Sequence, residues 1–153
     1  MRTVIQRVKC AEVTVDGESV GKIGKGFLVL LGIHENDSES EADTLAAKVS
    51  GLRIFTDAND KMNLSLNDVE GAALVISNFT LYSDCKHGKR PSFFDAARPE
   101  KASILYDYFC EKLISNGIAD VQKGIFGADM KVSLLNDGPV TLIIDTDELK
   151  PIR

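Results

Sequence analysis

The sequence predicts a single α+β domain, mostly strands with two main helices, and three observations lead there. Short apolar runs bounded by glycine and polar turn residues recur along the chain. Two longer stretches repeat apolar residues at helical spacing. No internal repeat, low-complexity tract or Pro/Gly/Ser-rich linker divides the 153 residues. One core, assigned to residues 1–153, should bury roughly 68–70% of the unfolded surface and fold without staples.

The chain opens in strands. Val13-Thr14-Val15 and Glu18-Ser19-Val20 flank Asp16-Gly17, a two-residue hairpin signal. Phe27 to Leu31 is continuously apolar and short, as in a strand buried on both faces. Ala42, Leu45, Ala46, Val49 and Leu52 follow at helical spacing, with Ser38 or Ser40 available as cap and acids in the first turn. Asp57 to Asn63 reads as a polar turn, and Ala72 to Tyr82 as a second buried strand. A second helix is expected from Pro99, a favoured first-turn residue, to Gly117, a favoured residue just past a helix end. Met130, Val132 and Leu134 alternate with polar residues, and Val140 to Ile144 makes a final strand.

Composition excludes several classes. With 44% hydrophobic and 27% charged residues, neither disorder nor membrane insertion fits. Phe27 to Leu31, the longest strictly apolar stretch, falls far short of the ~20 residues of a spanning helix. Met1 to Arg7 lacks the apolar core and cleavage site of a secretory signal. Cys10, Cys85 and Cys110 are too few and too scattered for a disulfide framework or zinc cluster, so reduced thiols and a cytoplasmic location are expected. A net charge of −5 argues against coating nucleic acid through bulk charge, although Lys86-His87-Gly88-Lys89-Arg90 concentrates positive charge locally. The plainer reading of that run is a solvated loop.

Familiar motifs fail on inspection. Gly21 to Gly26 lacks the Gly-Lys-Ser/Thr ending of a phosphate loop, and Lys61 and Met62 spoil a calcium loop beginning at Asp57. His34 and His87 have no partner at metal-ligand spacing and read as loop histidines. Cys85 beside Lys86 and His87 is a weak candidate for an activated thiol.

Two segments remain. Ser77-Asn78-Phe79-Thr80 stands where a buried strand meets a polar loop, and Thr80 is either functional or an ordinary strand threonine. Asn136-Asp137-Gly138-Pro139-Val140-Thr141 joins two expected strands and reads, at its plainest, as a hairpin turn. Both also resemble motifs of the D-aminoacyl-tRNA deacylase (D-tyrosyl-tRNA deacylase) family, Ser-Gln-Phe-Thr and Asn-x-Gly-Pro-Val-Thr. The likeness extends to Val4 to Val8, Lys89 to Phe93 and Gly124 to Met130, in family order across essentially the whole chain. Asn78 departs from it, shortening the family's glutamine by one methylene.

The resemblance implies a homodimeric, barrel-like fold of mostly antiparallel or mixed sheets, needing no metal or cofactor. It implies a hydrolase that removes D-amino acids, and achiral glycine, from tRNA while rejecting L-aminoacyl-tRNA. Backbone N–H groups of Phe79 and Thr80 would meet the oxyanion, and the RNA's 2′-hydroxyl would assist attack, in preference to a Thr80 nucleophile without a base. Ser77 and Asn78 belong to the same substrate motif. A cis Gly138-Pro139 pair would present two carbonyls to the substrate ammonium from across a dimer interface, so that rejection supplies the specificity. Arg7 would brace that loop, or be a strand-surface arginine. Met130 would pack near the pocket, or in the core. Lys86, Lys89 and Arg90 would touch RNA phosphates. The rival readings are a noncatalytic dimeric nucleic-acid-binding module and a small-molecule esterase.

Overall fold

Strand β1 (Arg2–Val15) is the spine on which the other strands are hung. The computed structural model describes residues 1–149, so 150–153 of the expected domain lie outside the described residues. Asp16 and Gly17, both at positive φ, turn β1 back into β2 (Glu18–Ile23). That is the geometry a two-residue hairpin turn needs. The N-terminal half of β1 pairs with β3 (Gly26–Gly32), and its C-terminal half with β2, both antiparallel. Helix α1 (Glu39–Gly51), a small hairpin of β4 (Arg53–Thr56) and β5 (Met62–Ser65), and β6 (Ala72–Ser77) follow. Helix α2 (Pro99–Ser115) and β7 (Asp120–Lys123) precede β8 (Met130–Asp145).

β3, β6 and β7 run parallel to one another, while β8 lies antiparallel along the far side of β1. The central strands β3 and β6 are buried on both faces. Phe27, Val29, Leu31, Ala73 and Val75 face the two helices, whereas Leu28, Leu74 and Ile76 meet Val8, Val13 and Ile23 on the other side. This double burial explains why β3 reads as an unbroken apolar run. Because β1 divides its partners between β3 and β2, the sheet curls around the second cluster into a barrel-like form. Gly21 of β2 approaches β7 so closely that a Cβ there would meet the Lys123 carbonyl at 2.7 Å.

Two expected elements differ. The strand predicted to run from Ala72 to Tyr82 stops at Ser77 and gives way to a 3-10 turn over Phe79–Tyr82. The hairpin expected at Asn136 to Thr141 is a bulge inside the single long strand β8. Gln6 pairs with Thr141 and Val8 with Asn136, so Asp137, Gly138, Pro139 and Val140 lie opposite Arg7 alone. His34, expected in an exposed loop, is half-buried; it bridges to Ala96 and packs edge-on against Tyr82.

Ser38 is the cap of α1. Its hydroxyl accepts from Ser40 N–H, and its own N–H donates to the Glu41 carboxylate at 2.7 Å, a reciprocal capping box. Hydrogen bonding from Ser38, the hydroxyl first, holds the Glu41 carboxyl below its ordinary value of 4.5. A depressed folded-state pKa stabilises at higher pH, and that contribution is lost as pH falls through it. Ser38→Ala should therefore cost about 1 kcal/mol at neutral pH. The gap between wild-type and variant melting temperatures should narrow on acidification below 4.5. Melts at about pH 7 and about pH 3 check this; an unchanged gap would remove Glu41 from the account.

Candidate active site

Parallel strands end together, and the chain leaves all three ends on the same side of the sheet. Beyond the carboxyl ends of β3, β6 and β7 lies a cleft of about 780 Å³. β3 contributes Leu31 and, just beyond its end, Ile33. β6 contributes Ser77, with Asn78 and Phe79 following it. Phe126 and Gly127 follow β7, Met130 opens β8, and Phe93 and Arg98 stand before α2. The lining is predominantly apolar, and Arg98 is its one ionisable side chain among the described residues.

The turn after Ser77 owes its position to Gly32. A Cβ on Gly32 would lie 2.9 Å from the Leu81 Cβ and 3.2 Å from the Asn78 carbonyl, so only glycine admits the turn this close to β3. Asn78 N–H donates to the Leu31 carbonyl at 2.8 Å and anchors the turn's start. The N–H groups of Phe79 and Thr80, which open the turn, have no backbone acceptor among the described residues. Thr80 itself is exposed and lies outside the cleft lining. Its hydroxyl donates to the Asn78 side-chain oxygen at 2.5 Å. Phe79, 58% exposed, stands edge-on to Phe93 with ring centroids 5.1 Å apart. Met130 belongs to both settings weighed for it: it lines the cleft and packs against the second apolar cluster, in space left by Gly124.

Gly138 and Pro139 do not line this cleft; they are exposed on the β8 bulge, joined by a cis peptide bond. Asn136 closes the base of the bulge, donating from its side-chain amide to the Val140 carbonyl and accepting from the Val140 N–H. Arg7 is no surface arginine. It is 8% exposed, and its guanidinium donates to the Asp137 carbonyl at 3.0 Å and the Ile54 carbonyl at 2.7 Å. Lys86, Lys89 and Arg90 are exposed on a loop closed by the backbone pair Asp84–Ser92. Cys85 shares that loop, outside the cleft. Cys110 is buried in α2, and burial pushes its thiol up to about 12.

The motif residues of the cleft wall are legible in the sequence as motifs, whereas no residue pattern marks the roles of Gly32, Phe126 and Arg98. Gly32 ends the apolar β3 run, and that position is the one sequence signal of a close approach.

Fold and cleft define a class: a small α+β protein with a predominantly apolar cleft beyond the carboxyl ends of its parallel strands. Residues 4–145 match the model of the D-Tyr-tRNA(Tyr) deacylase family, to which this chain belongs. It is 60% identical to the D-aminoacyl-tRNA deacylase of Fusobacterium nucleatum, over 97% of each chain. It is 54% identical to that of Thermosipho melanesiensis, over 97% of this chain and 99% of the relative. A solved structure titled c-Myc DNA Unwinding Element Binding Protein aligns with a TM-score of 0.89 at 38% identity, covering 95% of this chain and 98% of its own. A probable eukaryotic D-amino acid tRNA deacylase shares the fold, with a TM-score of 0.81 at 18% identity over 94% and 97% of the two chains.

Replacing Arg7 by Met keeps an apolar stem but strands the Ile54 carbonyl and frees the Asp137 carbonyl. The cost should be about 1.5–3 kcal/mol, the usual worth of hydrogen bonds from a charged donor. Urea unfolding of the two proteins reads it directly; a loss below about 0.5 kcal/mol would mean that the bulge holds itself.

Proposed function

We propose that this protein hydrolyses the ester of D-aminoacyl-tRNA, and of glycyl-tRNA, and spares L-aminoacyl-tRNA. The family match over residues 4–145, with Ser77, Asn78 and Phe79 on the wall of the cleft, carries the reading. Water adds to the ester carbonyl, the tetrahedral oxyanion collapses, and the bond to the ribose oxygen breaks. The products are the free amino acid and tRNA with its terminal hydroxyl restored. The unpartnered N–H groups of Phe79 and Thr80 face the charge that develops on the carbonyl oxygen.

The proton transfer is the harder part. A general base must stand within hydrogen-bond reach of the proton it takes. Among the described residues the cleft's one ionisable side chain is the guanidinium of Arg98, which has no carboxylate or imidazole beside it in the lining, and the Thr80 hydroxyl is turned toward an amide oxygen. Both facts favour assistance from the ribose 2′-hydroxyl over a threonine nucleophile. Asn78, shorter than the family's glutamine, keeps an amide that reaches Thr80.

Chirality is read by exclusion. Main-chain carbonyls of the Gly138-Pro139 loop accept from the substrate α-ammonium, fixing the groups around Cα. An L side chain then points into protein, a D side chain points outward, and glycine has nothing to reject. The loop is exposed and does not line its own chain's cleft, which supports a homodimer in which each loop completes the partner's site. Arg7 positions the loop through Asp137, and Met130 lines the acyl pocket. Lys86, Lys89 and Arg90 contact phosphates of the tRNA, which reconciles a net charge of −5 with an RNA substrate. The reaction as drawn calls on no cofactor, and it belongs in the cytoplasm, where charged tRNA is found. No helix among the described residues is long and apolar enough to cross a membrane.

The similarity to a structure titled as a DNA-element-binding protein favours one rival, a nucleic-acid-binding module without catalysis. Parallel deacylation of D-, L- and glycyl-tRNA by purified protein separates the two. D and glycyl esters should be cleaved and the L ester spared; efficient L cleavage, or no cleavage at all, overturns the proposal. A substrate ending in 2′-H should lose at least about two orders of magnitude in rate, within the range for a removed acid–base contribution.

Thr80→Ala should keep substantial activity, because its N–H donor survives the substitution. Single-turnover rates with the folded variant check this. Abolished hydrolysis with binding retained would make Thr80 the nucleophile.

A further inference from the structure

Phe94 is 89% exposed, an unusual setting for so large an apolar side chain. It lines a second groove, of about 630 Å³, with Arg98, Glu100 and Lys101. Phe93, Ala96 and Arg98 line this groove and the cleft alike, so the two form one continuous surface. At the junction Phe79 and Phe93 already hold each other edge-to-face, which leaves Phe94 as the free aromatic of the set.

We infer that this groove takes the unpaired nucleotides preceding the terminal adenosine of the tRNA acceptor end, with a base stacked on Phe94. The inference rests on the proposed function, which puts the terminal ester in the cleft. A strand entering the cleft must leave it past a neighbouring surface, and the groove is continuous with it. Stacking suits the position, since every base has a π face and an exposed phenyl ring needs a flat partner more than a deep pocket.

The charges agree. Arg98 and Lys101 offset Glu35 and Glu100 within the groove, leaving it near neutral. The basic loop supplies the net positive field. Asp84 and Ser92 exchange backbone hydrogen bonds of 2.8 and 2.9 Å, and these set the loop carrying Lys86, Lys89 and Arg90 immediately before Phe93. None of these cations has a carboxylate partner among the described residues. Phosphates beside a base stacked on Phe94 would lie toward that loop.

The segment is also firmly placed. Glu35 N–H donates to the Asp95 carbonyl and Ala97 N–H to the Ile33 carbonyl, at 3.0 and 2.8 Å. These bonds tie both ends of the Asp95–Ala97 stretch to the continuation of β3. A platform fixed in this way loses little entropy when a base settles on it.

The test compares Phe94→Ala, Phe94→Leu and Phe94→Tyr with wild type on two substrates, a D-aminoacylated acceptor-stem minihelix with an unpaired 3′ end and D-aminoacyl-adenosine. The ratio of kcat/KM, minihelix over adenosine ester, should fall at least about fivefold in the Ala and Leu variants and be kept by Tyr. An unchanged ratio overturns the inference. A ratio restored by Leu does so too, since it would mean apolar contact without stacking. Sedimentation accompanies each variant, and dissociation of a dimer by Phe94→Ala would assign the ring to a second copy instead. Anisotropy with the uncharged minihelix separates this inference from the catalytic reading. Weaker binding by Phe94→Ala sustains the groove even if wild type cleaves neither ester. Equal binding by both proteins sinks the groove even if wild type cleaves both.

Discussion

The pairing of β8 along the whole of β1 is the constraint from which the rest of this structure follows. Met130 is opposite Val15 and Asp145 is opposite Arg2, so the register is fixed at both ends. Between Gln6 and Val8 the two strands hold unequal numbers of residues, and the surplus must leave the sheet. That surplus carries Gly138 and Pro139 out to the surface. Arg7, the residue facing the bulge, keeps Phe27 of β3 as its partner on one side but has none on β8, and its guanidinium donates to the Asp137 carbonyl. The exposed loop and its buried brace are thus two results of one mismatch. Asn136 completes the arrangement by replacing, with its side chain, the ladder bonds that the bulge removes.

The cleft depends on the same spine at one remove. β1 holds β3, β3 holds β6, and β6 holds β7, the last three parallel. Parallel strands must release the chain at the same edge, and there Ile33, Asn78 and Phe126 converge from distant parts of the sequence. The helices need only cover one face, which α1 and α2 do with Leu45, Val49, Leu105 and Phe109. The site therefore sits at the end of the core, where burial stops and backbone groups come free.

Elements governed by local chemistry could be read from the sequence. Asp16-Gly17 made its turn, the residues around Ser38 supplied a cap, and Pro99 and Gly117 bounded α2 closely, the helix ending at Ser115. Long-range geometry decided the rest. Ile76, Phe79 and Leu81 give no period that distinguishes a continuing strand from a 3-10 turn; the close approach to Gly32 decides it. Gly138-Pro139 has the composition of a hairpin turn, and only the length of β1 shows that the chain continues in the same direction. Strand alternation alone leaves Arg7 open between a brace and a surface residue, because it says nothing of a bulge on the neighbouring strand. The two motifs are visible as residues, but their separation into a cleft wall and an exposed loop is a fact of topology.

That separation bears on how one small chain could handle a large substrate. Net charge of −5 disfavours indiscriminate adhesion to RNA, so recognition has to be concentrated where it is useful. The cleft offers apolar surface but little charge, which gives no purchase on a phosphate backbone. Three exposed cations, Lys86, Lys89 and Arg90, lie together on the Asp84–Ser92 loop, which runs directly into the aromatic rim. That rim is irregular in structure, yet it is pinned at His34–Ala96 and Ala97–Ile33 to the residues that directly follow β3, of which Ile33 lines the cleft. A displacement of β3 would therefore move the cleft and the aromatic rim together. Their spacing is kept by β3 itself, so a substrate spanning both meets a fixed distance, as positioning demands when reacting atoms must be held to within ångströms.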